Sequence, residues 1–290
     1  MIIDGLVPEG VITIVAAATI FIVMFTLGLG IVLGEFRGVA RHPSLVARAL
    51  LAVLVAVPVL AVVVVRALDL PRPVQVGIVL MAIAPGAPVA LRRSIGAGGD
   101  RAFAPALQIM VSMLAVVSMP LSIAVLVAMY AGDATVAPQD VALQVFKAQL
   151  LPLGLGMLAR RVKPAVALRI EPRFGQLSGV LLIALLALVL VDVTPVLAGA
   201  SWRVVLAVLL VTVLAVGAGH LLGGPAPATR TAVAICSAAR NPGLALLVAT
   251  QNAAPQAVIA TVLVYLVVSA LTLVPYIAFS RRLAMGAPAT

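Results

Sequence analysis

The sequence has few charged residues, few aromatic rings and one cysteine. Charged residues make up 10% of the 290 positions and aromatic residues 4%. Soluble domains carry about 25% charged residues, so the composition excludes an ordinary soluble domain. Cys236 alone can form neither an intrachain disulfide nor a cysteine metal cluster. His42 and His220 do not form a His-x-x-x-His pair, so we expect no metal site and no cofactor.

The positive charge is not accompanied by the aromatic residues that stack on nucleic-acid bases. The formal net charge is +10, and the isoelectric point is about 11.4. The basic residues lie mostly in short stretches between apolar runs, where they orient membrane helices. Since no basic stripe is interleaved with aromatic residues, we do not expect nucleic acid as a partner.

Long apolar runs occupy most of the chain. Hydrophobic residues make up 64% of it, and the mean hydropathy is +1.27. Runs of about 18 or more apolar residues are typical of membrane-spanning helices. The pattern predicts an all-α polytopic membrane protein with a single transmembrane domain over residues 1–290. The longest polar connection between its spans lies around residues 160–175. The nine predicted spans cover about residues 11–34, 44–68, 73–96, 102–130, 137–160, 174–198, 202–222, 229–252 and 254–279.

The distribution of lysine and arginine predicts the orientation in the inner (plasma) membrane. If the N-terminus lies outside and successive connections alternate between the two sides of the membrane, 14 of the 19 basic residues lie on the cytoplasmic side and 3 lie outside. Lys147 and Arg240 lie inside spans. This bias satisfies the positive-inside rule with a cytoplasmic C-terminus. Asp4 and Glu9 lie where a signal peptide carries basic residues, so we expect the first helix to be retained. The cytoplasmic set is Arg37, Arg41, Arg48, Arg92, Arg93, Arg101, Arg160, Arg161, Lys163, Arg169, Arg173, Arg230, Arg281 and Arg282, and the external set is Arg66, Arg72 and Arg203.

Two predicted spans contain a Pro-Gly pair near their centres. Pro85-Gly86 lies in the third span and Pro242-Gly243 in the eighth. Proline removes a backbone donor and glycine is a poor helix former, so each pair should unwind about a turn of helix. In a bilayer, unwound backbone is tolerated where it is buried in protein or lines a cavity. For either pair alone, a simple kink is the alternative interpretation.

The two pairs occupy corresponding places in two halves of the sequence. Spans six to nine match spans one to four with inverted topology, because span five separates them. Paired interrupted spans indicate a midplane binding site in a secondary transporter. Pro88 and Pro242 are placed to begin the second half-helices and Asn241 to cap the later one, and such helix N-termini favour anions. We therefore expect an inverted-repeat transporter with two broken, crossing helices.

Four stretches resemble the bile acid:sodium symporter family. They are MFTLGLGIVLGEFR at 24–37, IVLMAIAPGAPVALRRSIGAGGDRAFAPAL at 78–107, QLLPLGLGMLARR at 149–161 and ARNPGLALLVA at 239–249. The resemblance covers about residues 21–279 and implies a bacterial nine-span member, which lacks the first of the ten spans common in bacteria. It also implies a core that holds the two crossing helices and a panel that moves against the core. The implied core covers residues 44–130 and 202–279, and the implied panel covers residues 11–34 and 137–198.

The resemblance further implies that the family's sodium sites are absent here. Most residues at the family's sodium-ligand positions lack a side-chain oxygen, whereas sodium prefers several hard oxygen ligands. These positions fall on Val53, Ala90, Leu91, Ala104, Gln108, Cys236 and Arg240.

Arg240 stands where the resembled family carries a sodium-ligating glutamine. An ionisable residue inside a span costs at least about 2.5–3.5 kcal/mol to insert, which makes it a candidate functional residue. The guanidinium can act as a strut and built-in cation that donates to unwound carbonyls, or it can bind a substrate carboxylate. Both interpretations stay open at this point, and for Gln108 the alternative to a substrate contact is a helix–helix hydrogen bond. The predicted substrate-binding residues are Arg240, Asn241, Pro242, Gly243, Pro85, Gly86, Ala87 and Gln108.

These features predict a secondary transporter of a small organic anion that works by alternating access without the family's sodium sites. No carboxylate is expected near the interruptions, which favours uniport or exchange over proton coupling. One alternative is sodium coupling through displaced ligands such as Asn241, Thr231 or backbone carbonyls. Metalloid efflux has less support, because its carriers have their cysteine in the first broken helix. An enzyme is not expected, because no nucleophile–base pair or metal cluster falls in the spans.

Overall fold

The computed structural model describes residues 9–30, 42–130, 138–199 and 201–286, and every element in these ranges is a helix. Helix α6 begins at Pro138–Val145, passes through a π-helical turn at Phe146–Leu150 and continues as Leu151–Val162. The other helices are α1 (Glu9–Gly30), α2 (Pro43–Ala67), α3 (Arg72–Ile83), α4 (Pro88–Gly96), α5 (Phe103–Tyr130), α7 (Pro164–Gly199), α8 (Trp202–Leu222), α9 (Pro227–Ala238), α10 (Pro242–Gln251) and α11 (Gln256–Gly286).

Six helical segments in the described part of the chain are long and apolar enough to cross a membrane. They are Pro43–Ala67, Phe103–Met129, Gln139–Val162, Trp202–Leu222, Pro227–Gln251 and Gln256–Met285. Two apolar segments, Ala17–Gly30 and Arg72–Ile83, are shorter. The prediction of a polytopic helical membrane protein is thereby confirmed, while the count of nine spans stays a prediction.

The segment formed by α9 and α10 lies at the centre of the bundle. In Pro227–Gln251, 94% of the most apolar window is buried within the protein, against 39–44% for the other five segments. A span that contacts lipid on one side keeps a large part of its surface outside the protein. The α9–α10 segment is surrounded by other helices, which is where interrupted backbone can be tolerated in a bilayer.

Both Pro-Gly pairs lie at interruptions of helical structure. Helix α3 ends at Ile83 and α4 begins at Pro88, while α9 ends at Ala238 and α10 begins at Pro242. The predicted starts at the two prolines are confirmed. Asn241 is the predicted N-cap, and its Oδ1 atom accepts a hydrogen bond from the N–H of Leu244 at 3.1 Å.

The predicted polar connection around 160–175 is helical over most of its length. Helix α6 ends at Val162 and α7 begins at Pro164, so a single residue, Lys163, joins them. Proline is favoured at the first position of a helix because its missing N–H needs no partner there. The polar residues that follow lie on the first turns of a long helix, because polarity marks where a chain leaves the bilayer and not where a helix ends.

Glycines allow α1 and α6 to approach closely. A Cβ atom at Gly156 would collide with the carbonyl oxygen of Phe25 and would lie 2.9 Å from the Cα atom of Gly28. Small residues at such contacts let membrane helices pack through their backbones. This contact fixes α1 against α6, next to the helices that carry the interruptions.

We expect Gly156→Ala to destabilise the protein, because the obstructing atoms belong to the α1 backbone and cannot rotate away. Overpacking of this kind costs about 1–3 kcal/mol, so thermal unfolding in detergent should shift down by a few degrees. Gly154→Ala is the matched control, since a Cβ atom at Gly154 would have no neighbour within 4 Å. Equal unfolding temperatures for the two variants would contradict the close packing of α1 on α6.

Candidate functional site

Helix α2 contains a π-helical turn that leaves one backbone carbonyl without a helical donor. The turn covers Ala52–Ala56, and the N–H of Val57 donates to the carbonyl of Ala52. In this register the next donor would be Pro58, which has no N–H. The carbonyl of Val53 is therefore available to a donor from outside α2.

The guanidinium of Arg240 binds this carbonyl. Its Nη1 and Nη2 atoms both donate to the oxygen of Val53 at 3.0 Å, and the side chain is 4% exposed. The Nε atom has no partner in the described part of the protein. Of the charged side chains that the structure describes, Arg240 is the one that is buried. Arg240 thus joins α2 to the interruption between α9 and α10.

A backbone hydrogen bond connects the two interruptions directly. The N–H of Asn241 donates to the carbonyl of Ala84 at 3.0 Å. The side chain of Asn241 caps α10 through Oδ1, while its Nδ2 atom has no partner among the described residues. The unwound segments 84–87 and 239–241 therefore lie side by side inside the bundle.

Several positions that the family resemblance assigns to sodium form an apolar cluster. Val53, Ala104 and Cys236 are buried together, and Leu91 packs against them. Their side chains offer no hard oxygen ligand to a cation. Within the described ranges, no group of three His, Cys, Asp or Glu residues is placed to hold a metal ion. The positive charge that reaches this cluster is that of Arg240.

The first interruption is lined by polar side chains that the sequence pattern did not single out. Gly86 has a φ of +80°, and a Cβ atom there would lie 2.8 Å from Ser112 Oγ and 3.6 Å from Gln149 Oε1. Both side chains are fully buried, and neither has a hydrogen-bond partner among the described residues. Pro152 is the sequence signal that points to Gln149, because a proline within a span disturbs the turn before it.

The remaining predicted site residues divide between the two interruptions. Gln108 is buried on α5 one turn before Ser112, on the same side of the helix, and its Nε2 atom has no described partner. Gly243 lies against α1, since a Cβ atom there would be 2.8 Å from the Cδ1 atom of Ile20. The predicted residues that lie in or next to the interruptions are Pro85, Gly86, Ala87, Arg240, Asn241, Pro242 and Gly243.

Arg92 connects α4 to the long helix α7. Its Nη2 atom donates to the carbonyl of Gly175 at 3.1 Å, and a Cβ atom at that glycine would lie 3.2 Å from Nη2. The cleft around this contact is also lined by Glu171 and Gln176. The half-helix that follows the first interruption is thus held against a helix of the predicted panel.

The chain matches the model of a known protein family. Residues 17–200, well over half of the chain, match the model of the sodium bile acid symporter family. The matched region contains the first interruption and both π-helical turns, and Arg240 lies beyond it. No curated protein matches the chain. The family consists of membrane symporters and not of enzymes, and the six candidate spans fit a multi-pass membrane protein. The chain belongs to the sodium bile acid symporter family.

Proposed function

We propose that the protein is a secondary transporter of a small organic anion and that it works without the sodium sites of its family. One observation carries the proposal: the buried guanidinium of Arg240 is bonded to the carbonyl of Val53, next to the point where the two interruptions meet. This carbonyl belongs to a position that the family resemblance assigns to a sodium ligand. The fixed charge of Arg240 takes the place of a bound cation.

The charge at this site favours an anionic substrate. A guanidinium stays protonated under physiological conditions, so the site is positive whatever ions are present. Helix α10 begins at Pro242, and the N-terminus of a helix adds a partial positive charge. The Nε–H group of Arg240 remains available, since both described hydrogen bonds use the two Nη atoms. A carboxylate near the interruptions would therefore meet several convergent donors.

The packing of the helices supports alternating access between a core and a panel. Helix α1 packs most extensively against α6 and α7, while α2, α3, α8, α9 and α11 pack with one another. We assign the core to residues 44–130 and 202–279, and the panel to residues 11–34 and 137–198. In this assignment the interrupted segments 72–96 and 227–251 are the crossing helices of two inverted repeats. The N-terminus lies on the external side of the inner membrane and the C-terminus on the cytoplasmic side.

Sodium coupling through displaced ligands is the competing function, and the name of the family favours it. Two of the oxygens considered for it, on Asn241 and Val53, already accept hydrogen bonds. Oδ1 of Asn241 accepts from the N–H of Leu244, and the carbonyl of Val53 accepts from Arg240. Thr231 is buried, but a single hydroxyl does not make a site for a hard cation.

Replacement of sodium by potassium separates the two functions. We expect small organic anions that stabilise the purified protein against thermal unfolding to do so equally in sodium chloride and in potassium chloride, because a ligand that binds the native state must stabilise it. Uptake of the same anions into proteoliposomes should be unchanged by the exchange. Stabilisation or uptake that requires sodium would reject the proposal and support displaced sodium ligands.

A further inference from the structure

We propose that Gln108, Ser112 and Gln149 form a second recognition point, which binds an uncharged amide group of the transported anion. The inference rests on the proposed function, because it names the part of the substrate that does not face Arg240. Ser112 and Gln149 lie beside Gly86 at the first interruption, and Gln108 lies one turn before Ser112 on the same side of α5. They would make the preferred substrate an organic anion that carries a secondary amide, such as an N-acylated amino acid.

The polar atoms of this group are buried and unpaired. Gln149 and Ser112 are fully buried and Gln108 is 1% exposed. Neither Nε2 nor Oε1 of Gln149 has a hydrogen-bond partner in the described part of the protein, and the same holds for Ser112 Oγ and Gln108 Nε2. Unpaired polar groups at membrane depth are costly, so four such atoms on the packed helices α5 and α6 fit a site that a polar ligand completes.

The geometry at Gly86 brings two of these side chains to the same point. The position where a Cβ atom would stand is 2.8 Å from Ser112 Oγ and 3.6 Å from Gln149 Oε1. Gln108 precedes Ser112 by one helical turn on the same side of α5. Polar groups from two different helices thus meet the unwound backbone, which itself offers N–H and C=O groups.

A π-helical turn positions Gln149. The turn covers Phe146–Leu150, and the N–H of Leu151 donates to the carbonyl of Phe146. The next donor in this register would be Pro152, so the carbonyl of Lys147 loses its helical partner, as the carbonyl of Val53 does in α2. Such turns occur frequently at functional sites. Because Gln149 belongs to the proposed panel and Gly86 to the proposed core, movement between the two would open and close this point.

The chemistry of the group favours an amide over a charged ligand. Gln108, Ser112 and Gln149 are all uncharged, and the buried cation lies at the other interruption. The carboxamide of Gln149 presents one unpaired donor and one unpaired acceptor, which is the complement of an amide N–H and C=O. A purely structural role would require these side chains to bond to each other or to neighbouring helices, and their unpaired atoms form no such bonds among the described residues.

Two pairs of isosteric anions test the inference with the whole chain. N-acetylglycinate and 4-oxopentanoate differ in one group, since a methylene replaces the amide N–H, and N-benzoylglycinate and 4-oxo-4-phenylbutanoate form the same pair with a larger acyl group. We expect the amide of at least one pair to bind roughly tenfold or more tightly than its ketone analogue, because the ketone leaves a buried acceptor unpaired. Concentration-dependent thermal stabilisation of the purified protein gives the affinities.

Variants assign this preference to the proposed residues. Gln149→Leu and Ser112→Ala should reduce the preference for the amide, while binding of the ketone analogue changes little. Ser118→Ala is the matched control, because its hydroxyl lies on the same helix, is also unpaired and is six residues away, on a different side. A preference that survives in Gln149→Leu, or equal affinities of the wild type for both members of each pair, would overturn the amide site and leave the anion transporter standing.

Thiol labelling gives a second measurement that does not depend on the stability of Gln149→Leu. In a Gln149→Cys variant, an amide anion that stabilises the protein should slow labelling of the new cysteine, and the wild type with its buried Cys236 gives the background. Stabilisation without protection would place the anion elsewhere and reject the inference alone. If none of the four anions stabilises the wild type, but another small organic anion does, the amide site is rejected. If no small organic anion stabilises it, the result counts against the proposed function itself.

Discussion

Replacement of Arg240 with glutamine should reduce anion uptake into proteoliposomes to the level of empty vesicles. The substitution removes the buried positive charge and leaves the carbonyl of Val53 without a donor, since Pro58 cannot supply one. A buried acceptor that loses its partner costs about 1–3 kcal/mol. The contact between α2 and the interruption at residues 239–241 is therefore weakened at the same time as the substrate loses its counter-charge. Uptake and thermal unfolding should be measured on the same preparation.

Two further variants separate the charge of Arg240 from its geometry. Arg240→Lys keeps the charge but lacks the planar pair of donors, so we expect partial uptake and reduced stability. Arg230→Gln, on the preceding helix α9, is the matched control, because Nε of Arg230 also donates to a backbone carbonyl, that of Gly224 at 2.7 Å, outside the interruption. Undiminished uptake by Arg240→Gln would remove Arg240 from the mechanism.

Gly86→Ala should also abolish or strongly reduce transport. Gly86 has a φ of +80°, which costs an alanine about 1–2 kcal/mol, and the new methyl group would lie 2.8 Å from Ser112 Oγ. Overpacking adds about 1–3 kcal/mol. Because alanine is strained at this φ, we expect the backbone at the first interruption to shift, and with it the carbonyl of Ala84 that receives the N–H of Asn241. We expect a lower unfolding temperature and at least a severalfold loss of uptake.

The two costs at Gly86 can be measured separately. Gly86→Ala combined with Ser112→Ala relieves the contact but not the backbone strain, so it should regain part of the lost stability. Gly96→Ala serves as a control within the same interrupted span, since a Cβ atom there has open space around it. If Gly86→Ala and Gly96→Ala have the same stability and uptake, the tight packing around the first interruption is not needed for transport.

The interruptions themselves could be predicted from the sequence because their causes are local. Proline lacks an N–H wherever it occurs, so Pro88 and Pro242 mark the starts of helices in isolation as they do in the fold. Asn241 directly before Pro242 is likewise a local signal for an N-cap, and its bond to Leu244 bears this out. Apolar length alone identified the membrane-spanning class.

The contacts between distant segments could not be predicted in the same way. The partner of Arg240 is a backbone carbonyl. Every residue carries a backbone carbonyl, so the identity of residue 53 as valine does not predict the hydrogen bond. What frees that carbonyl is the register of a π-helical turn, which depends on how α2 packs. Pro58 and Pro152 both lie within predicted spans, where the sequence alone indicates a local disturbance of the helix. The orientation of the Val53 carbonyl and the Gln149 side chain, however, depends on the packing of neighbouring helices.

The hydrogen bond between Arg240 and Val53 also implies an order of biosynthesis. The two residues are 187 positions apart, and the ribosome makes the chain from its N-terminus. The acceptor is therefore delivered to the membrane long before the charged donor leaves the ribosome. An arginine that enters a bilayer without a partner meets a barrier of at least about 2.5–3.5 kcal/mol, which a waiting carbonyl lowers. Insertion of the segment that contains α9 and α10 is thus a late step of assembly in the membrane, guided by helices that are already there.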